Sequence, residues 1–366
     1  MSVSATAQHG DLSRPGDSRR PFPDCVPVLV DPAATVVLRA HDEADLRAIV
    51  EQARDAESQH WTTVPNPPGG YSLADARDFA LNLMPAGWAA GTPLGWAIEA
   101  ERDGERGFCG SIDLRLAGDG TAEVGFGLHP AARGRSLMST ALRLVRDYGF
   151  DELGLRALRW RARVGNWGSR RVAAAAGFTF EGTVRRLLSH RGVLLDGWLA
   201  TMTAEDPRRP RPWMDSPVLV GSAVRLRPFT EADVPGIVEA CSDPRTHHWL
   251  VSLPEPYGES DAREFIEATR EMAAQCHGFN WCVADITTDE LVGCISLDGF
   301  GGYSRRTEIG YWTHPAQRGR GRITEAVKTV TAFAGSRNIT DSILSRCAAP
   351  NLASRHAAEA AGFTQI

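Results

Sequence analysis

The feature that most restricts the fold of this 366-residue chain is that its second half restates its first. Val124–Ala141 reads Val-Gly-Phe-Gly-Leu-His-Pro-Ala-Ala-Arg-Gly-Arg-Ser-Leu-Met-Ser-Thr-Ala, and Ile309–Ala326 reads Ile-Gly-Tyr-Trp-Thr-His-Pro-Ala-Gln-Arg-Gly-Arg-Gly-Arg-Ile-Thr-Glu-Ala. Gly310 follows Gly125, Arg318 follows Arg133, Asn351 follows Asn166 and Gly362 follows Gly177 by the same 185 residues (310 − 125, 318 − 133, 351 − 166, 362 − 177). Stacked repeats have periods of about 20–50 residues, so this is a whole domain written twice. Chain length independently favours two domains.

The boundaries follow from composition. A polar Ser/Arg/Pro arm covers 1–24, a first domain 25–205, a Pro/Arg linker 206–216 and a second domain 217–366. In the first domain, Pro27–Val30 and Val36–Arg39 read as short strands, and Asp42–Ala56 as an amphipathic helix. Ser72 and Asp75 resemble a capping box before a second helix that ends near Met84. Strands follow at Leu94–Glu99, Phe108–Leu116 and Glu123–Leu128. After them come helix Leu137–Tyr148, strand Leu158–Val164 and helix Ser169–Ala176, with Phe178–Val184 and Gly197–Met202 as closing strands. Only Thr364–Ile366 follow Phe363, so counterparts of Phe180–Met202 are expected to be missing from the second copy. Strand Ser342–Cys347 is then expected to show an unpaired edge.

In both copies a half-buried strand breaks at His-Pro, passes through an Arg/Gly loop and enters a helix. Glycines at such a turn let backbone N–H groups converge on an anion at a helix N-terminus. No Gly-Lys-Ser/Thr stands at Walker spacing and the Rossmann glycine pattern is incomplete, which removes the two commonest nucleotide loops. A formal charge of −5 gives no reason to expect nucleic acid or an anionic membrane as partner. Seven cysteines without a Cys-x-x-Cys pair suit reduced thiols in cytoplasm, and no metal site is expected. No apolar run reaches membrane-spanning length.

Three ordered segments, each present twice, carry a family resemblance. They are the Arg/Gly loop after a Glu-x-Gly strand (Glu123–Ser136, Glu308–Gly321), Asn-x-x-Ser-Arg (Asn166–Arg170, Asn351–Arg355) and Ala-Gly-Phe (Ala176–Phe178, Ala361–Phe363). Together they resemble the GNAT acyl-CoA N-acyltransferases, in particular the ribosomal-protein N-terminal acetyltransferase branch. The resemblance implies two tandem α/β (α+β) domains, each a mixed, mainly antiparallel sheet flanked by helices, with acetyl-CoA as co-substrate. It places the pyrophosphate on Leu128, Arg133, Gly134, Arg135, Ser136, Met138 and Ser139 in copy one. In copy two the corresponding set is Arg318, Gly319, Arg320, Gly321, Ile323 and Thr324. The family loop has a central Gly and a small residue beyond it. Ser136, Met138 and Ile323 depart from that, and their bulk is expected to crowd the phosphates.

The resemblance further implies that Glu123 and Glu308 act as general bases, that Asn166 and Asn351 touch the pantetheine arm, and that Ser169 and Ser354 protonate the leaving thiolate. Plain helix capping also accounts for an Asn or Ser at those starts, and a solvent-facing carboxylate also accounts for the Glu. His129 and His314 are alternative bases or simple turn residues. The expected reaction is direct attack of a primary amine in a ternary complex, with copy one as the catalytic copy. Rival readings are an acyl-CoA sensor or scaffold without catalysis, and an aminoglycoside acetyltransferase. A monomer with an internal pseudo-dimer and a homodimer are both compatible with the sequence.

Overall fold

Burial alternates along strands such as Ala157–Arg163 and is nearly continuous along the central strands Leu94–Arg102 and Gly278–Asp285, which are covered on both faces. One sheet forms in each half of the chain. The computed structural model describes residues 25–102, 104–250, 252–302 and 305–366; the arm read over 1–24 lies outside them. The chain divides into two units between Arg211 and Pro212.

Unit one runs β1 (Leu29–Val30), β2 (Val37–Arg39), α1 (Leu46–Arg54), α2 (Ala56–Trp61), α3 (Leu73–Arg77) and α4 (Met84–Ala90). It continues through β3 (Leu94–Arg102), β4 (Glu105–Leu116), β5 (Thr121–Leu128), α5 (Leu137–Asp151), β6 (Ala157–Arg163), α6 (Trp167–Ala175), β7 (Thr179–His190) and β8 (Val193–Thr203). The strands pair in the order β1-β2-β3-β4-β5-β6-β8-β7. All pairs are antiparallel except β5–β6, which needs a crossover, supplied by α5. That parallel ladder runs only from Thr121↔Ala157 to Val124↔Trp160. Beyond it β5 continues to Leu128 and β6 to Arg163, so the two strands part and a wedge-shaped gap opens between them.

Unit two repeats the plan with β9 (Leu219–Val220), β10 (Val224–Arg227), α7 (Val234–Ser242), α8 (Pro244–Trp249) and α9 (Glu259–Ala274). Then come β11 (Gly278–Asp285), β12 (Leu291–Asp298), β13 (Arg306–Thr313), α10 (Arg322–Ser336), β14 (Ser342–Leu344) and α11 (Leu352–Ala360). Its order is β14-β13-β12-β11-β10-β9, again with one parallel pair, β13–β14. Side-chain wiring repeats with the topology. Arg39 forks onto Asp45 at 2.9 and 2.8 Å, and Arg227 onto Asp233 at 2.8 and 2.9 Å. The indole of Trp96 donates to Pro27 O at 3.0 Å, and that of Trp281 to Pro217 O at 2.7 Å.

Several elements differ from expectation for local reasons. The helix expected over Asp42–Ala56 breaks at Asp55, whose side chain caps Ser58 at 2.8 Å and so starts α2. The capping box at Ser72 and Asp75 is present, but helix continues past Met84 to Ala90 through a π-turn over Asp78–Leu83. The closing hairpin reaches His190 and Val193, longer than its sequence pattern suggested. The strand expected over Ser342–Cys347 stops at Leu344 and stands at the edge of its sheet. Residues 206–211, read as linker, pack down on unit one: Arg208 meets Asp151 at 2.5 Å, and Arg211 donates to Ala174 O and Gly177 O at 2.9 Å. Arg170, from the Asn-x-x-Ser-Arg segment, is buried, with its guanidinium 3.5 Å from the Phe180 ring centroid and 4.9 Å from that of Trp198. This cation–π stack ties α6 to the hairpin.

Candidate active site

β5 ends at Leu128, half-buried against the core, and the chain turns at His129. The His129 ring caps the turn by accepting from Ala131 N at 3.3 Å and meets Glu51 at 3.0 Å with its other nitrogen. His314 caps the equivalent turn in unit two. Both are buried turn residues. The loop then holds Gly134 at φ +73° and Ser136 at φ +57°, and the second copy has Gly319 at +73° and Gly321 at +72°. Ser136 therefore adopts the left-handed backbone that the family glycine takes without strain. Neither α5 nor α10 receives a side-chain hydrogen bond at its N-cap. Their first-turn N–H groups thus face outward uncapped, the arrangement that attracts an anion.

The loop arginines divide their work. Arg133 is committed to the start of α2: it meets Asp55, Glu57 at 2.7 Å and Ser58 Oγ at 2.9 Å. Arg318 repeats this on Asp243 at 2.5 Å and Thr246 at 2.7 Å, and it holds the Asp243 carboxyl below the usual carboxylate range. Both braces fix the loop from behind. Arg135 donates to Glu101 O at 2.7 Å, and Arg320 to Gln317 at 3.2 Å. Gly134, Gly319 and Gly321 have open space where a Cβ would stand. Met138, expected to crowd the phosphates, is 3% exposed and belongs to the core beneath the loop. Ile323 packs against the second core, while Ser139 and Thr324 are half-buried in the first helical turn.

In unit one, Glu123, Asn166 and Ser169 meet in one pocket of about 160 Å³, at the point where β5 and β6 part. Asn166 caps α6 by accepting from Ser169 N at 3.1 Å. Trp160, fully buried, donates its indole N–H to Ser169 Oγ at 3.0 Å. That bond occupies a lone pair, leaving the hydroxyl proton available to a ligand. Glu123 lies between Arg115 at 3.5 Å and Arg161.

Unit two has a larger groove of about 710 Å³ that joins the loop Gln317–Thr324 to Asn351 and Ser354. Asn351 caps Ser354 N at 3.2 Å. Here the wiring differs. Tyr311 gives its phenol proton to Ser354 O at 2.8 Å, and Ser354 Oγ in turn donates to the phenol oxygen at 3.3 Å. Glu308 is paired by Arg346 at 3.0 Å and does not line the groove.

Sequence reasoning missed Trp160, Arg161, Arg163, Arg115 and Tyr311. The arginines left a signal, since positions 159, 161 and 163 alternate with Leu158, Trp160 and Ala162 along a strand. Among the described residues no group of three or more His, Cys, Asp or Glu could hold a metal ion, and no helix is long and apolar enough to cross a membrane.

A mixed sheet with a single parallel pair, and a helix that starts without a side-chain cap between the two parallel strands, is common to both units. The family model described as Acetyltransferase (GNAT) domain matches residues 35–179 and again 223–364. The chain belongs to the GNAT acetyltransferases, and carries the domain twice.

A probable N-acetyltransferase, YjcK of Bacillus subtilis (strain 168), is 41% identical over 76 residues, which are 21% of this chain and 42% of that protein. The chain thus spans less than half the length of that curated relative. Among solved structures, Mycobacterium smegmatis RimJ in complex with CoA-disulfide matches 50% of this chain and 90% of its own, at 26% identity and a TM-score of 0.42. RimL, a ribosomal L7/L12 α-N-protein acetyltransferase solved with coenzyme A, matches 48% and 97% at 20% identity and a TM-score of 0.42.

Proposed function

We propose that this protein moves an acetyl group from acetyl-CoA to a primary amine, and that unit one performs the chemistry. The observation that carries this is the Trp160–Ser169 hydrogen bond beside Glu123 in the gap between β5 and β6. Acetyl-CoA supplies an acyl group on a thioester. The uncapped start of α5, with Gly134 and Ser136, receives its phosphates, and Asn166 holds the turn that positions Ser169. The amine nitrogen forms the new bond to the acyl carbon as the carbon–sulfur bond breaks. Ser169 gives its proton to the departing sulfur. The amine proton leaves through water toward Glu123, and water returns a proton to the Ser169 oxygen, so that both groups are reset. An α-amine, with a pKa of about 7.7–8.0, is partly neutral at physiological pH, whereas a lysine at about 10.4 needs roughly 3–4 kcal/mol more help. The acceptor is therefore a peptide N-terminus or a small amine of similar basicity.

Unit two is assigned acyl-CoA binding without transfer, because the Ser354 proton is engaged by Tyr311. Parallel knock-outs test the assignment. Asn166→Ala with Ser169→Ala should abolish thiol release from acetyl-CoA, and Asn351→Ala with Ser354→Ala should leave turnover within about threefold. Loss of turnover in the second pair alone means that the active unit is the other one. Calorimetry that detects no acetyl-CoA binding at millimolar concentration removes the whole reading.

A further inference from the structure

The acceptor side of the unit-one pocket carries a surplus of positive charge that the transfer chemistry does not use. Alternation on β6 places Arg161 and Arg163 on one face, beyond the last β5–β6 ladder pair and so inside the gap. Arg115 joins them from β4, directly across from Glu123. These three guanidiniums line the pocket together with one carboxylate, Glu123. Arg161 and Arg115 share that carboxylate, and Arg115 also reaches Asp113 at 2.9 Å. Arg163 donates to the backbone carbonyl of His60 and lies 5.5 Å from the Trp61 ring centroid. No carboxylate pairs with it among the described residues. His190 lines the same pocket. Its imidazole is held below its usual range first by burial and then by Arg163, Arg191 and His60, the response expected where positive charge gathers.

The second unit provides an internal control. Arg161 has its counterpart in Arg346, which pairs with Glu308 as Arg161 pairs with Glu123. Cross-strand register sets Asp298 opposite Glu308, where unit one sets Arg115 opposite Glu123. The residue 185 positions after Arg163 is Ala348 (348 − 163). The arginines at 115 and 163 are therefore not repeated at the corresponding positions of unit two, whose groove draws its arginines from Arg245, the loop 318–322 and Arg346.

Resting on the acetyltransferase reading above, we infer that the acceptor is a primary amine with a carboxylate close to the nitrogen, clamped by Arg163 while the amine faces Ser169. A guanidinium on a half-buried wall that has spent one arm on a backbone carbonyl keeps further N–H donors, and these grip a carboxylate by charge-assisted hydrogen bonds. A polycationic acceptor such as an aminoglycoside meets like charge there instead. Two sources share the required chemistry, an acidic peptide N-terminus and a small amino-dicarboxylic acid.

The test uses the full chain with acetyl-CoA and follows thiol release. The acceptors are Ser-Glu-Glu, Ser-Gln-Gln and Ser-Lys-Lys peptides, free aspartate and glutamate, and uncharged primary amines. An acidic acceptor should exceed its neutral match by at least about tenfold in kcat/KM, with the lysine peptide lowest. The peptide and amino-acid arms identify the source. Arg163→Glu should invert the peptide order and Arg163→Lys should keep it, with melting curves confirming that both variants fold. Raising salt from about 0.05 to 0.5 M should narrow the preference. Turnover that ignores acceptor charge, or an order unchanged in Arg163→Glu, overturns the inference and leaves acetyl transfer standing. Refusal of every acceptor by a protein that binds acetyl-CoA overturns it as well. Failure to bind acetyl-CoA instead removes the reading beneath it.

Discussion

Trp160 and Ser169 are nine residues apart in sequence and joined by a 3.0 Å hydrogen bond from indole nitrogen to hydroxyl oxygen. The bond makes a buried core residue the orienting group for the hydroxyl proposed above as the proton donor. Trp160→Phe keeps a ring in the core and removes only the donor. We expect kcat to fall roughly tenfold with KM for acetyl-CoA nearly unchanged, since an aimed proton matters only as the thiolate forms. The check is the double variant. In a Ser169→Ala background Trp160→Phe should cost no further activity, whereas a packing defect would still lower it.

Ser136 holds a left-handed backbone where unit two uses Gly321. Ser136→Gly should raise the stability of unit one by up to about 1 kcal/mol and leave acetyl-CoA binding as tight or tighter. Gly321→Ser should do the reverse. Thermal melts with and without cofactor decide it, and a destabilised Ser136→Gly would show that the serine side chain makes a necessary contact.

Arg133 reads in sequence as a pyrophosphate contact, but its guanidinium braces the loop through Asp55. Arg133→Ala should lower the melting temperature by roughly 2–4 °C and weaken acetyl-CoA together. Asp55→Asn, which touches no ligand, should weaken binding in the same direction. Normal binding in Asp55→Asn beside lost binding in Arg133→Ala would mean that Arg133 contacts the phosphates itself.

His41 is 8% exposed, bonded to Ser111 at 2.9 Å, with its other ring nitrogen buried and unpartnered. Burial first, with Arg39 adding and Asp45 opposing, pushes its pKa down from 6.5 to about 4. The folded state keeps the ring neutral while the unfolded chain takes a proton below pH 6.5. Stability from this group is therefore complete above that pH and falls by about 3 kcal/mol as pH drops toward 4. Unit two has Phe229 188 residues on (229 − 41), the spacing that also relates Arg227 to Arg39. His41→Phe should flatten the wild-type decline across that window in urea titrations. An equally steep decline in the variant would assign the acid sensitivity to other groups.

The duplication, the loops and the Asn-x-x-Ser segments were legible because each has a fixed local spacing. Where a side chain points across a tertiary gap was not. Arg133 and Ser169 were both read as ligand-facing, yet the first is turned back by Asp55, which lies 78 residues earlier. The roles of Ser169 and Ser354 were read as equal. Their difference depends on Trp160 and Tyr311, at non-equivalent positions in the two repeats. The crowding expected from Met138 ignored that a residue one step into a helix turns its side chain toward the sheet.

The ladder between β5 and β6 stops at Val124 and Trp160 while both strands run on. An extended ligand with its own amide groups can lie along that unfinished edge and act as a temporary strand, completing the sheet for as long as it stays. Occupancy and cohesion then become one quantity. Those amide hydrogens between Gly125 and Leu128 that face the gap, rather than β4, should exchange with solvent slowly only while the ligand is in place. Stability should also keep climbing with ligand concentration past saturation, by about 2.7 kcal/mol at a hundredfold excess over Kd, and the melting temperature with it. An enzyme built this way is at its least cohesive between turnovers, in the interval when product has left and the gap stands open.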